Sequence, residues 1–187
     1  MVQTQSKPLT LEAFLELPET KPASEYIDGR IIQKPMPQGK HSRLQLDFAT
    51  LINTAVRAKK IACAFPELRC TFDGSSIVPD IAVFTWDRIP CDENGEIANV
   101  FPIAPDWTIE ILSPDQRQTR GTKNILRCLK HGTQMGWLID PDEKAVLVYR
   151  PKQEVDLLDE PAEILLMPPF MDGLTLTVAD LFALLML

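Results

Sequence analysis

No stretch of this chain approaches the roughly 20 consecutive apolar residues of a membrane-spanning helix, and residues 1–20, MVQTQSKPLTLEAFLELPET, hold no apolar run of signal-peptide length. A cytoplasmic protein with no membrane partner is the expectation. The four cysteines, Cys63, Cys70, Cys91 and Cys128, form no C-x-x-C pair and are too scattered for a zinc ribbon or a small disulfide framework. No segment recurs at a fixed period, which removes solenoid architectures. Net positive charge is missing too: 19 Lys and Arg against 26 Asp and Glu leave a formal charge of −7, the wrong global sign for a simple polyanion binder.

What is present is ordinary globular material. With 187 residues, 45% hydrophobic and 24% charged, the chain can bury a sizeable core and is expected to form one domain over residues 1–187. Its acidity is unevenly placed. Residues 151–187 carry Lys152 against seven acids, whereas the rest is nearly neutral. Within that neutral body, residues 116–131 hold five Lys and Arg and no acid. The charge therefore excludes a uniformly basic coat but not a local phosphate-facing stripe.

Apolar periodicity predicts a short helix over residues 10–17, stopped by Pro18, and a long one over residues 41–59 with Leu44, Phe48, Leu51, Ile52 and Ala55 at helical intervals. Between them, EYIDGRIIQK reads as a hairpin turning at Asp28-Gly29. Strands are expected at residues 61–66, 68–72, 77–84 and 107–112, with a long irregular excursion at 86–105. The turn Ser113-Pro114-Asp115 leads to a helix at about 118–131 that ends at Gly132. MGWLIDPDEKAVLVYRP predicts a second hairpin turning over residues 140–143, followed by a strand near 164–167 and a terminal helix. Thr177 and Asp180 stand in capping-box spacing there. The interleaving predicts an α/β fold with helices against a mixed sheet.

Two acids stand out because charge inside apolar strands is costly unless it is paired or metal-bound. In SIVPDIAVF, alternation aligns Asp80 with Val78, Ala82 and Phe84; in WTIEILS it aligns Glu110 with Thr108 and Leu112. If the two strands are neighbours, Asp80 and Glu110 converge on a site for a hard cation such as Mg²⁺ or Mn²⁺. Taken singly, each acid favours a structural reading, Asp80 at a strand end after Pro79 and Glu110 as the partner of an arginine.

EYIDGRII, a histidine opening a helix (His41), VPDIAVF, TIEILSPDQ, a basic helix and GTQMGWLIDP together resemble the Uma2 family, also known as DUF820, within the PD-(D/E)XK nucleases. The resemblance covers residues 25–149. It implies a restriction-endonuclease-like mixed β-sheet flanked by α-helices and Mg²⁺-dependent cleavage of DNA. It also implies Asp80 and Glu110 as metal ligands and Glu25 as a further acid. One departure matters. The usual lysine two residues after the second acid is Leu112 here, and the migrated variant of that lysine, on the following helix, falls on Lys123 or Asn124; Lys123 is the expected residue.

Helix geometry adds that Arg120, Lys123, Arg127 and Lys130 share one stripe, with Ile125, Leu126 and Leu129 on the other side. That stripe is the expected DNA contact, and His41 is a further candidate for phosphate. Glu25 could instead pair with Arg30 across its hairpin. Trp107 and Trp137 read as core aromatics. A rival reading keeps the scaffold without the chemistry, as a nucleic-acid- or protein-binding module, and a third uses the same acids on a small phosphate ester. A homodimer would match the pseudo-symmetry of duplex DNA.

Overall fold

The computed structural model describes residues 9–114 and 116–186. Asp115, the last residue of the predicted Ser-Pro-Asp turn, lies outside them. The chain opens with α1 (Leu11–Leu15), whose first turn is capped by Thr10 Oγ1 accepting from the Ala13 amide at 3.2 Å. The first hairpin follows as β1 (Ser24–Ile27) and β2 (Arg30–Gln33). Its Asp28 and Gly29 both take positive φ, +50° and +77°, the pairing that a two-residue Asp-Gly turn favours. Then come α2 (Gly39–Val56), β3 (Ala62–Pro66), β4 (Cys70–Phe72), β5 (Ser75–Ile77) and β6 (Ile81–Thr85). After the excursion the order is β7 (Trp107–Ile111), α3 (Gln118–Lys130), β8 (Met135–Asp140), β9 (Ala145–Tyr149), β10 (Asp156–Leu158) and α4 (Val178–Ala183).

The strands form two sheets, ordered β2-β1-β5-β4 and β10-β9-β8-β7-β6-β3. In the larger one, β7 and β8 run parallel with α3 as their crossover, and the other neighbours are antiparallel. The single strand expected at 77–84 is thus two strands in different sheets. Pro79, which has no N–H to give to a ladder, sits in the link between them. The strand expected near 164–167 reduces to an isolated bridge between Ile164 and Thr177, and the outer strand is β10 instead. The terminal helix carries the expected Thr177–Asp180 capping box.

The larger sheet is packed on both faces. Odd-numbered residues of β6 and β7 (Ile81, Val83, Trp107, Ile109, Ile111) meet Leu44, Phe48 and Ile52 of α2 and the C-terminal Leu165, Met171, Val178 and Leu181. Phe48 stacks on Trp137 there, and Trp107 meets both edge-on, ring centroids 4.9–5.8 Å apart. On the opposite face, Ala82 and Phe84 pack with Phe101 from the excursion and Cys128 of α3. Leu138 packs there too, with Ile125 of α3. Glu110 points to this second face, towards α3 and the smaller sheet.

Candidate active site

The β6–β7 ladder pairs Ile81 with Ile109 and Ala82 with Thr108. Extending that register by one residue sets Asp80 across from Glu110, at the mouth between the two sheets. Asp80 is 1% exposed and Glu110 2%. The Asp80 carboxylate is held on both oxygens. Lys34 Nζ donates to Oδ1 at 2.5 Å, the Ile111 amide donates to Oδ2 at 2.7 Å, and His41 Nε2 lies 3.1 Å from Oδ2. Its backbone carbonyl accepts from Gln45 Nε2 at 2.8 Å and the Glu67 amide at 3.1 Å. This segment is pinned from α2, from β7 and from the end of β2.

The two acids are driven apart in acidity. Burial alone would raise Asp80, but the adjacent Lys34 ammonium and His41 outweigh it and hold the carboxyl well below the usual carboxylate range. Burial raises Glu110 well above that range, and the negative Asp80 beside it adds to the effect more than Lys34 relieves it. Lys34 loses hydration in the site, yet the attraction of Asp80, Glu110 and Glu25 keeps its ammonium more firmly protonated than usual.

Glu25, fully buried on β1, closes the cluster from the smaller sheet. Its Oε1 accepts from the Val78 amide at 3.0 Å and its Oε2 from Arg120 at 3.1 Å. Its cationic partner is therefore Arg120 of α3 and not Arg30, because strand alternation turns Glu25 inward while Arg30 is exposed at the hairpin tip. Asn124, 2% exposed, bridges the acids: its Nδ2 lies 3.2 and 3.5 Å from the Glu25 oxygens and 3.3 Å from Glu110 Oε1. With the amino group committed to carboxylates, Asn124 Oδ1 is left buried without a partner.

A groove of about 1190 Å³ lies between the β1–β2 hairpin and α3 and reaches Lys34, Arg120 and Asn124 of this cluster, behind which the three carboxylates lie. Arg30, Lys34, Arg117, Arg120, Lys123, Arg127 and Lys130 line it, against Asp28 and Asp73. The predicted stripe of α3 thus faces a groove wall. Leu126, assigned to the packed side, is 44% exposed and lines the groove instead. Lys123, expected beside the acids, is exposed on the groove wall and makes no ion pair among the described residues. Its neighbour Asn124 takes the inward position one helical step away. His41, expected at phosphate, is 5% exposed and turned onto Asp80, because the first turn of α2 abuts the Asp80 segment. Lys34 is the residue that sequence reasoning missed. It sits in the polar stretch QKPMPQGK, and only the pairing of the two sheets brings it to Asp80.

A family model described as "Uma2: Putative restriction endonuclease" matches residues 11–179. The chain belongs to the Uma2 family. The Uma2 fold is also seen in a crystal structure of a "putative nuclease belonging to DUF820" from Anabaena variabilis ATCC 29413. That protein is 65% identical, with a TM-score of 0.94, over 96% of this chain and 100% of that one. No curated protein matches this Uma2 chain. Among its described residues no helix is long and apolar enough to cross a membrane.

Proposed function

We propose that this Uma2 protein is a metal-dependent endonuclease that hydrolyses DNA phosphodiester bonds, with Asp80 and Glu110 holding Mg²⁺ or Mn²⁺. The supporting observation is the meeting of two buried carboxylates, directly behind Lys34 and Asn124 in the wall of a groove lined by seven Lys and Arg. Among the described residues no three His, Cys, Asp or Glu side chains form a ready-made metal cage. The donor set nevertheless suits a hard cation that keeps several waters. Asp80 uses three of its roughly four lone-pair positions, Glu110 resists ionisation without a counter-charge, and the Asn124 oxygen lacks a partner. Such a cation, when bound, polarises the scissile phosphate and lowers the pKa of a water.

The chain's own residues supply the rest. Glu25, locked by Arg120 and Asn124, keeps α3 registered against the smaller sheet. Arg117, Lys123 and Lys130 present charge to the phosphate backbone along the groove. The groove is larger than the roughly 300–1,000 Å³ of a small-molecule pocket and is lined by residues from both the hairpin and α3, which favours a polymer over a small phosphate ester.

The inactive-scaffold reading draws on Leu112 in the usual lysine position and on Lys123, which lines the groove wall without an ion pair to the acids among the described residues. Plasmid nicking separates the two. The purified protein with Mg²⁺ or Mn²⁺ is expected to nick supercoiled DNA, and Asp80→Ala and Glu110→Ala to abolish nicking. Unchanged cleavage in both variants sinks the assignment, and DNA retention without cleavage in any metal favours the scaffold.

A further inference from the structure

The usual lysine slot holds Leu112, and of the two residues that share the migrated slot, Lys123 is exposed on the groove wall while Asn124 is the one turned to the acids. Leu112 packs with Ile125, Leu138 and Tyr149, and Asn124 is a neutral bridge between Glu25 and Glu110. We infer that Lys34, from the end of β2, supplies the active-site cation at a third position and donates to the scissile phosphate. This rests on the nuclease reading above.

Several observations carry it. Lys34 Nζ reaches Asp80 Oδ1 at 2.5 Å and the Val78 carbonyl at 2.7 Å. An ammonium has three N–H donors, so one remains after these two. The side chain is 9% exposed, and that exposure is to the groove, whose wall Lys34 helps form. No other cation joins both places. Arg120 is anchored on the Gln33 carbonyl at 2.9 Å and on Glu25, away from Asp80. His41 does not line the groove, and Lys123 lines it without reaching an acid. Lys34 alone among the groove's cations touches Asp80.

The step it assists is an ordinary hydrolysis. A water oxygen forms a bond to phosphorus, the bond from phosphorus to the leaving sugar oxygen breaks, and that oxygen takes up a proton as the water loses one. Lys34 keeps its own protons and offsets the negative charge that gathers on the phosphoryl oxygens. Asn124 is the complementary half of the arrangement: a lysine there would crowd a second ammonium into a cluster that Lys34 and Arg120 already serve.

The test compares wild type with Lys34→Gln, which keeps a donor for Asp80 but loses the charge. Lys34→Met serves as a second substitution should the first not fold, and the double variant Lys34→Gln/Asn124→Lys as a rescue. Thermal melting, Mn²⁺ binding by calorimetry, DNA affinity in Ca²⁺ and single-turnover cleavage are measured on each. Lys34→Gln is expected to fold and to bind Mn²⁺ no more weakly than wild type, since a competing cation on Asp80 is gone. Its DNA affinity should stay within about threefold while cleavage falls about 10²–10³-fold, the usual loss for one donor to a developing oxyanion. The double variant should recover at least tenfold of that. Cleavage within threefold of wild type, or a loss of rate that follows a loss of Mn²⁺ binding, overturns the role of Lys34 and leaves it a prop for Asp80. A wild type that never cuts, or an Asp80→Ala variant that does, overturns the nuclease reading beneath it and the Lys34 role with it.

Discussion

The buried acids are the most informative residues, and their two responses to burial set a trade between stability and chemistry. Asp80, held low in pKa by Lys34 and His41, contributes stability that is present above the unfolded carboxylate range and is lost as pH falls through its folded value. Glu110 has the opposite sign. Its folded pKa is raised, so its contribution is fully present below the unfolded value and is lost as pH rises through the folded one. In EDTA, Glu110→Gln should therefore match wild type near pH 4 and become the more stable protein as pH rises. A gain of about 1 kcal/mol corresponds to roughly 2–4 °C in Tm for a chain of this size. Mg²⁺ should raise the Tm of wild type and not that of Glu110→Gln. Melting curves at several pH values check this, and a variant less stable than wild type throughout contradicts it. Asp80 and Glu110 were legible in the sequence because each is a charge inside an apolar string. Lys34 was not, since it lies in a polar loop-like stretch, and Asn124 was visible only as an alternative to the more conspicuous Lys123 beside it.

Secondary structure was readable wherever periodicity or turn chemistry spoke clearly, as in α2, α3, the Asp28-Gly29 hairpin and the Thr177 cap. What escaped was the division of strands between sheets. A second Asp-Gly turn, Asp73-Gly74 with φ of +49° and +66°, joins β4 to β5, and its dipeptide was a visible signal. Read together with Pro79, it would have broken the 77–84 strand in two and placed Asp80 at the junction. The junction works only because α3 lies flat on β7 and β8, and two glycines permit that approach. A Cβ on Gly136 would stand 2.2 Å from Ile125 Cγ2, with Ile125 Cβ and Cγ1 at 3.3 Å; one on Gly121 would stand 2.6 Å from Leu138 Cδ1 and 3.4 Å from Glu110 Cβ. Ile125 is β-branched and stiff, whereas Leu138 meets the intruder with a terminal methyl. Gly136→Ala is accordingly expected to be the costlier, about 1–3 kcal/mol for overpacking, and Gly121→Ala the milder in stability. Gly121→Ala should change metal binding little, because Leu138 can yield and the contact with Glu110 Cβ at 3.4 Å is an ordinary one. Denaturant titration and Mn²⁺ calorimetry on the two variants report these orders.

At the scale of the whole molecule, the −7 charge that argued against nucleic acid resolves into two sides. The acidic residues 151–187 lead into the C-terminal segment that packs on the α2 face of the larger sheet, while the basic stripe of α3 lies on the opposite face and looks into the groove. None of the tail's acids lines the groove, and exposed charges more than a Debye length apart, about 8 Å at physiological ionic strength, are largely screened. Binding should therefore answer to the groove and not to the net charge. Four of its cations, Arg30, Arg117, Lys123 and Lys130, make no ion pair among the described residues. If each neutralises one phosphate, the logarithm of DNA affinity should fall against the logarithm of salt with a slope of about −3.6, from −0.9 per contact. Lys123→Ala and Lys130→Ala should each reduce that slope by about 1 and weaken all DNA sequences alike. Glu154→Gln with Asp172→Asn should leave affinity at 150 mM salt within about twofold, because screening isolates the tail. Salt titrations of these variants in Ca²⁺ decide the matter. A slope near zero, or one that moves with the tail and not with α3, would place the nucleic acid elsewhere on the molecule.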